Sequence, residues 1–307
     1  MSRLTTPLLE TLTLASPVLS ASGCYGAGIE GARFGDLRRL GAIVTKTVTP
    51  RPRAGNPPPR LCETASGMLN SIGLENPGVA AFLEQDLPAA LDLGPPVILN
   101  VAGESLEEFV EVVERVQGSG VVALEINLSC PNVQGGQLPF STDPTACEDV
   151  VRRVRAVSEL PFFVKLSPNT SRLVEIASAA EQGGADGLTL INTVLGAAID
   201  WRRRQTRLRL GSGGLSGPAI KPVALHCILR VRAATGLPIV GVGGARSAED
   251  VCEFLVAGAQ AVQIGTAHFL DPRAGVHAVE ALETLLARED TTVATLQNGL
   301  APLRRPC

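Results

Sequence analysis

The chain has 307 residues, and at 45% hydrophobic and 19% charged it can bury a sizeable core. A net charge of −3 gives no basis for nucleic acid or an anionic membrane as partner, and no apolar run reaches the roughly 18 residues that a membrane span needs. The N-terminus lacks a basic stretch followed by an apolar core, so the expectation is a cytoplasmic protein without a signal peptide. Seven scattered cysteines (24, 62, 130, 147, 227, 252 and 307) form no CxxC pair and no zinc-finger spacing with histidine, and they read as reduced thiols without a metal or cluster.

In chain order, residues 8–14 alternate apolar and polar and predict an extra strand across the bottom of the fold. Short apolar runs then recur at 17–21, 42–46, 97–101, 121–128, 162–166, 187–191, 239–242 and 261–264. A helical pattern follows each, near 30–40, 78–91, 104–117, 143–157, 171–182, 221–235, 247–257 and 275–288. Asp143-Pro144 and Ser247 are natural helix starts. The alternation predicts an α/β fold, a (β/α)8 TIM barrel, in preference to an open doubly wound sheet. With no linker or repeat, 1–307 reads as one domain carrying a short N-terminal β extension. The connections 47–77 and 193–218 are too long for barrel turns and predict lids or binding loops at the C-terminal face. Arg202, Arg203, Arg204, Arg207 and Arg209 in the second one read as a solvated basic loop.

A closed barrel brings its strand C-termini together. Those ends hold Ser22-Gly23, Lys46-Thr47, Asn100, Asn127 with Cys130, Lys165, Asn192-Thr193, Gly243-Gly244 and Gly265-Thr266. The set contains neither a carboxylate pair nor a His triad, which leaves glycosidase, metal and serine-hydrolase readings without residues. Only Lys46, Lys165 and Lys221 are lysines among the 27 Lys plus Arg. In so Arg-rich a chain, lysines kept at strand ends point to a need for a compact three-donor ammonium. Three Gly-rich turns, at 213–218, 241–244 and 265–266, follow late strands or precede a helix, where backbone amides can cradle a phosphate. The GxGxxG match at 26–31 is a decoy, because the next strand ends in Lys46 rather than a ribose-binding acid.

Cys130 stands just past a strand end, ahead of Pro131, which stiffens the turn and biases Cys130 to an extended backbone. A buried Cys usually behaves as a small hydrophobe; the loop position and the Pro and Asn neighbours favour a working thiol. A phosphate cradle, amides and a lysine suggest flavin mononucleotide (FMN), with Lys165 stabilising negative charge on the reduced flavin's pyrimidine edge. The thiol would act as a base, best at mildly alkaline pH given a free Cys pKa of about 8.5.

The motifs Thr45-Lys46-Thr47-Val48-Thr49, Gly55-Asn56-Pro57, Gly67 to Leu74, Asn127-Leu128-Ser129-Cys130-Pro131-Asn132-Val133 and Gly213 to Lys221 resemble the class 1 dihydroorotate dehydrogenases, most closely class 1B, over nearly all of residues 1–290. The resemblance implies oxidation of (S)-dihydroorotate to orotate in pyrimidine synthesis, with Cys130 taking the C5 proton and FMN the C6 hydride. It implies that Lys46, Asn70, Ser71, Ile72, Gly73, Leu74, Asn127, Asn192 and Thr193 hold the substrate. It implies flavin contacts from Ser22, Gly23, Lys46, Thr47, Asn100, Asn127, Lys165 and Ile191, and a phosphate site at Gly217, Gly243, Gly244, Gly265 and Thr266. It further implies a homodimer joined, as a heterotetramer, to a partner subunit that carries FAD and a [2Fe-2S] cluster and passes electrons to NAD⁺. Cys24-Tyr25, Ala197 and the Arg-rich 202–209 stretch depart from the family's usual residues. A fumarate-linked class 1A enzyme, a dihydropyrimidine dehydrogenase-like subunit and a non-enzymatic flavin scaffold are the alternatives.

Overall fold

A computed structural model of the chain describes residues 2–128 and 139–300. Eight parallel strands run β1 (Val18–Ser20), β2 (Ile43–Val44), β3 (Val97–Val101), β4 (Ala123–Asn127), β5 (Phe162–Leu166), β6 (Gly187–Leu190), β7 (Ile239–Val242) and β8 (Ala261–Ile264). Each pairs with its sequence neighbour from β2 to β6, then β6 with β7, β7 with β8, and β8 back with β1. The ring closes between β1 and β2 through a bridge from Leu19 to Ala42, a 2.8 Å bond from the Gly41 amide to the Val18 carbonyl, and the Val44 amide donating to Ser20 Oγ at 3.0 Å. This is the expected (β/α)8 barrel.

Strand parity sorts the side chains. Leu99, Leu124, Ile126, Phe162, Val164 and Leu188 face outward into one large apolar layer beneath the helices. Leu19, Val44, Ile98, Ala123, Phe163, Val240 and Ala261 face inward at the bottom, where Leu8 and Leu14 plug the barrel. Burying each of those two leucines stabilises the fold by about 1.5–3 kcal/mol. Two positions further up, the same inward face turns polar, with Asn100, Glu125, Lys165 and Gln263 all buried.

Three expected elements differ. Residues 8–14 are not one strand but part of an antiparallel hairpin, Thr6–Leu9 with Leu12–Leu14, because Glu10-Thr11 supplies a polar turn. The expected helix at 30–40 is instead two 3₁₀ turns, Gly31–Arg33 and Leu37–Arg39. Gly31 and Gly35 disfavour helix there, and the Tyr25 ring lies 2.1 Å from where a Cβ on Gly31 would sit. This turn also disposes of the GxGxxG stretch as a strand–helix nucleotide motif. The segment expected at 78–91 is helical but passes through a π turn, Phe82–Asp86, just ahead of Pro88, which has no amide hydrogen for the helical ladder. The remaining helices start and stop within a few residues of expectation. Ser247 forms a full capping box with Asp250, and the Asp143 side chain accepts from the Thr145 amide.

The two long connections meet. Leu61–Thr64 and Gly67–Asn70 from the first pair with Gly213–Ser216 and Val194–Gly196 from the second, as a four-stranded antiparallel sheet. Beyond it, Ile199–Asp200 and Gln205–Thr206 form a short hairpin whose Arg202, Arg203 and Arg204 are exposed, with the Arg202 guanidinium 4.4 Å from the Trp201 ring centre. The arginines are thus solvated, as expected. Among the described residues, no helix is long and apolar enough to cross a membrane.

Candidate active site

The barrel strands stop at one level and release their chain ends into a cleft of about 320 Å³. Its lower wall is Ser22, Gly23, Lys46, Thr47, Asn127, Lys165, Asn192 and Thr193; its upper wall is Asn70, Ile72, Gly73 and Leu74 from the first long connection, with Met68 and Ser216 of the cover sheet. The cleft continues along Ile191, Gly217, Gly243, Gly244, Gly265 and Thr266, sharing Ser22, Cys24 and Lys165. Residues spread across the whole sequence therefore meet as the strand-end reading required. Ser71 and Asn100 do not reach this wall, since both are fully buried. Ser71 donates its amide to the Arg60 carbonyl, and Asn100 lies in the layer below. Cys130 and Ser129 to Val133 lie outside the described residues; the strand leading to them ends at Asn127.

Lys165 is held in place from two sides. Its Nζ donates to Ser22 Oγ at 3.0 Å and to Glu125 Oε1 at 3.2 Å, and the side chain is 6% exposed. Glu125 also accepts from Asn100 Nδ2 and Gln263 Nε2, both at 2.6 Å. Burial alone would push the Glu125 carboxyl up, but the Lys165 ammonium and the bonds from Gln263 and Asn100 outweigh it and hold the group below its ordinary value. Glu125 and Gln263 are absent from the strand-end reading. Their signal is a polar residue inside an apolar strand, at the inward parity shared with Asn127 and, in Gln263, with Ala261.

The glycines divide by role. Gly213 and Gly214 lie in the cover sheet, where a Cβ would meet the Asn70 carbonyl oxygen at 2.4 Å and Thr193 Oγ1 at 2.0 Å, so close strand packing rather than anion binding explains them. Gly217, Gly243 and Gly244 have φ of 96°, 128° and 86°, a region open chiefly to glycine. A Cβ on Gly244 would stand 2.8 Å from the Lys221 amide nitrogen and 2.9 Å from the Gly217 carbonyl oxygen. This turn is fixed from behind: Asp250 accepts from the Arg246 and Ser247 amides and, at 2.6 Å, from Lys221 Nζ. Lys221 is thereby a clamp for the turn, not a cleft residue.

On the opposite wall, Asn70 Nδ2 donates to the Gly214 carbonyl at 3.3 Å, tying the first long connection to the second. Asn56 Nδ2 donates to the Ser71 carbonyl at 2.9 Å and packs where a Cβ on Gly73 would fall. Cys24 is a described thiol facing the cleft. Burial pushes its pKa up, against the lowering pull of Lys165 and Lys46.

The chain matches the dihydroorotate dehydrogenase family model over residues 4–286. A Geobacillus sp. strain WCH70 protein named dihydroorotate dehydrogenase B (NAD(+)), catalytic subunit, is 50% identical over 279 residues, covering 91% of this chain and 89% of its own length. A Listeria welshimeri protein of the same name is 50% identical over 262 residues, 85% of this chain and 86% of its own. The crystal structure of a DHODH from Eimeria tenella in complex with ferulenol superposes with a TM-score of 0.82 at 20% identity, over 99% of this chain and 89% of that one, a likeness in fold. By the family match across most of its length, the chain belongs to the dihydroorotate dehydrogenases.

Proposed function

We propose that this chain oxidises (S)-dihydroorotate to orotate in pyrimidine synthesis, using FMN, and passes the electrons to NAD⁺ through a partner subunit. The single observation that carries the reading is the cleft floor: a buried lysine pinned by Ser22 and Glu125, facing a wall of amides and ending in a positive-φ glycine turn. The 50% identity to proteins named as NAD⁺-linked catalytic subunits supports the substrate and the partner. FAD and a [2Fe-2S] cluster would then reside on that partner, with this chain as a homodimer within a heterotetramer.

The residues fit FMN. Gly217, Gly243 and Gly244 leave their turns without side chains and lie with Gly265 and Thr266 at one end of the cleft, a setting in which backbone amides can hold a terminal phosphate. When bound, FMN supplies the hydride acceptor. The protein does the rest. Lys46 pairs with the substrate carboxylate, and Asn70, Asn127 and Asn192 read its imide edge. Ile72, Gly73 and Leu74 close the upper wall over the ring. Cys130 removes the C5 proton, and donors on the imide side favour its loss by drawing electron density from the ring.

Gly244→Ala tests the phosphate turn. Forcing a Cβ into positive φ against backbone costs about 1–2 kcal/mol, so FMN is expected to bind roughly tenfold more weakly, read as flavin fluorescence released on dilution. The acceptor is tested by reducing the purified chain with dihydroorotate without oxygen and offering NAD⁺ or fumarate. NAD⁺ is expected to reoxidise the flavin only once the partner subunit is added; rapid reoxidation by fumarate alone would place the chain with class 1A instead.

A further inference from the structure

The carboxylate of Glu125 is surplus to the reaction as described above. It is 1% exposed, does not line the cleft, and lies under Lys165 at the centre of the barrel's polar layer. Lys165 Nζ at 3.2 Å, Asn100 Nδ2 at 2.6 Å and Gln263 Nε2 at 2.6 Å aim at it, with the Thr189 hydroxyl also beside it. The two amides turn their nitrogens to Glu125 although this leaves Asn100 Oδ1 and Gln263 Oε1 without partners. Such an arrangement serves an acceptor-only, ionised group. A buried ion pair is weak grounds for stability, since well-packed apolar residues of like volume often do as well or better. The charge therefore calls for another explanation, and its position supplies one.

We propose that Glu125 is a positioning residue that aims Lys165 and sets the reduction potential of the flavin; this rests on the FMN reading above. Of the ammonium's three hydrogens, Ser22 and Glu125 take two from fixed directions, so the third is directed to the cleft that Lys165 lines. The ammonium favours negative charge on a reduced flavin. The carboxylate, one ammonium further from the cleft, opposes that field and holds the potential down. A lower potential lets the reduced chain give electrons onward to a weak acceptor.

Glu125→Gln keeps the shape and removes the opposing charge. At the separations involved, a unit charge in an effective dielectric of about 20 shifts the reduction equilibrium on the order of tenfold, about 30 mV for a two-electron couple. Equilibrium dye titration of the flavin-loaded chain is expected to give a more positive potential for Glu125→Gln than for the parent. The same sign is expected in a Lys165→Met background at alkaline pH, where Glu125 stays ionised without its partner, E125Q/K165M lying above K165M. An unchanged or more negative potential overturns the proposal, as does a folded Glu125→Gln chain that retains no FMN in either background, which would make the residue a structural one. A parent chain that carries no flavin would instead defeat the FMN reading itself.

Discussion

Replacing Cys130 by Ala is expected to slow dihydroorotate oxidation about 10²–10⁴-fold, the range set by a positioned general base, while FMN content and orotate affinity stay at the parent's level. In the sequence Cys130 follows the end of β4 and directly precedes Pro131. The cradle at Gly217 and Gly243–Gly244 and the Lys165 floor are built from other residues. Cys24 is no substitute, because burial raises its pKa and disfavours the thiolate. In the parent, the rate should climb with pH as the thiolate base becomes available; in Cys130→Ala that limb should be gone. Stopped-flow flavin bleaching across pH 6–10 reads both, and undiminished turnover in the variant would remove Cys130 from the mechanism.

Lys165→Met is expected to cost about 3–5 kcal/mol of stability at neutral pH, because it leaves Glu125 charged and buried without its ion partner. The pH dependence has a definite sign. Glu125 is held below its ordinary pKa in the folded chain, so its contribution is present above the unfolded value of about 4.3 and is lost as pH falls through the lower folded value. Without Lys165 the balance reverts to burial, which pushes the carboxyl up. The variant's deficit should therefore be greatest near pH 7 and shrink as acidification neutralises Glu125. Urea midpoints for parent and variant at pH 7 and pH 5 check this; an equal gap at both would deny the pair its charged character. Lys165→Arg should also impair flavin binding and turnover, since a planar fork cannot reproduce one nitrogen's bonds to both Ser22 Oγ and Glu125 Oε1 in a space this buried.

The barrel was legible because strands covered on both faces leave short, nearly continuous apolar runs, and Val97–Val101, Phe162–Leu166, Ile239–Val242 and Ala261–Ile264 fall where those runs lie. The strand ends were legible for the same reason, and so Lys46, Asn127, Lys165 and Asn192 converge as expected. What sequence could not show depends on closure or on distant partners. Glu125 and Gln263 sit 138 positions apart and meet only inside the closed barrel. Gly67–Asn70 pairs with Gly213–Ser216, a long-range choice that no local pattern encodes, which is why Gly213 and Gly214 resembled a phosphate turn. The expected helix at 30–40 failed because the packing of the Tyr25 ring on Gly31 is a tertiary fact.

Hydride transfer from dihydroorotate to FMN is expected of this chain with its own residues alone. The direct measurement is anaerobic addition of (S)-dihydroorotate to the purified, flavin-loaded chain while the visible absorbance of the oxidised flavin is followed. Prompt bleaching by dihydroorotate, with stoichiometric orotate, is expected, and none by dihydrouracil. A flavin that stays oxidised with dihydroorotate, or that bleaches only with dihydrouracil, would contradict it.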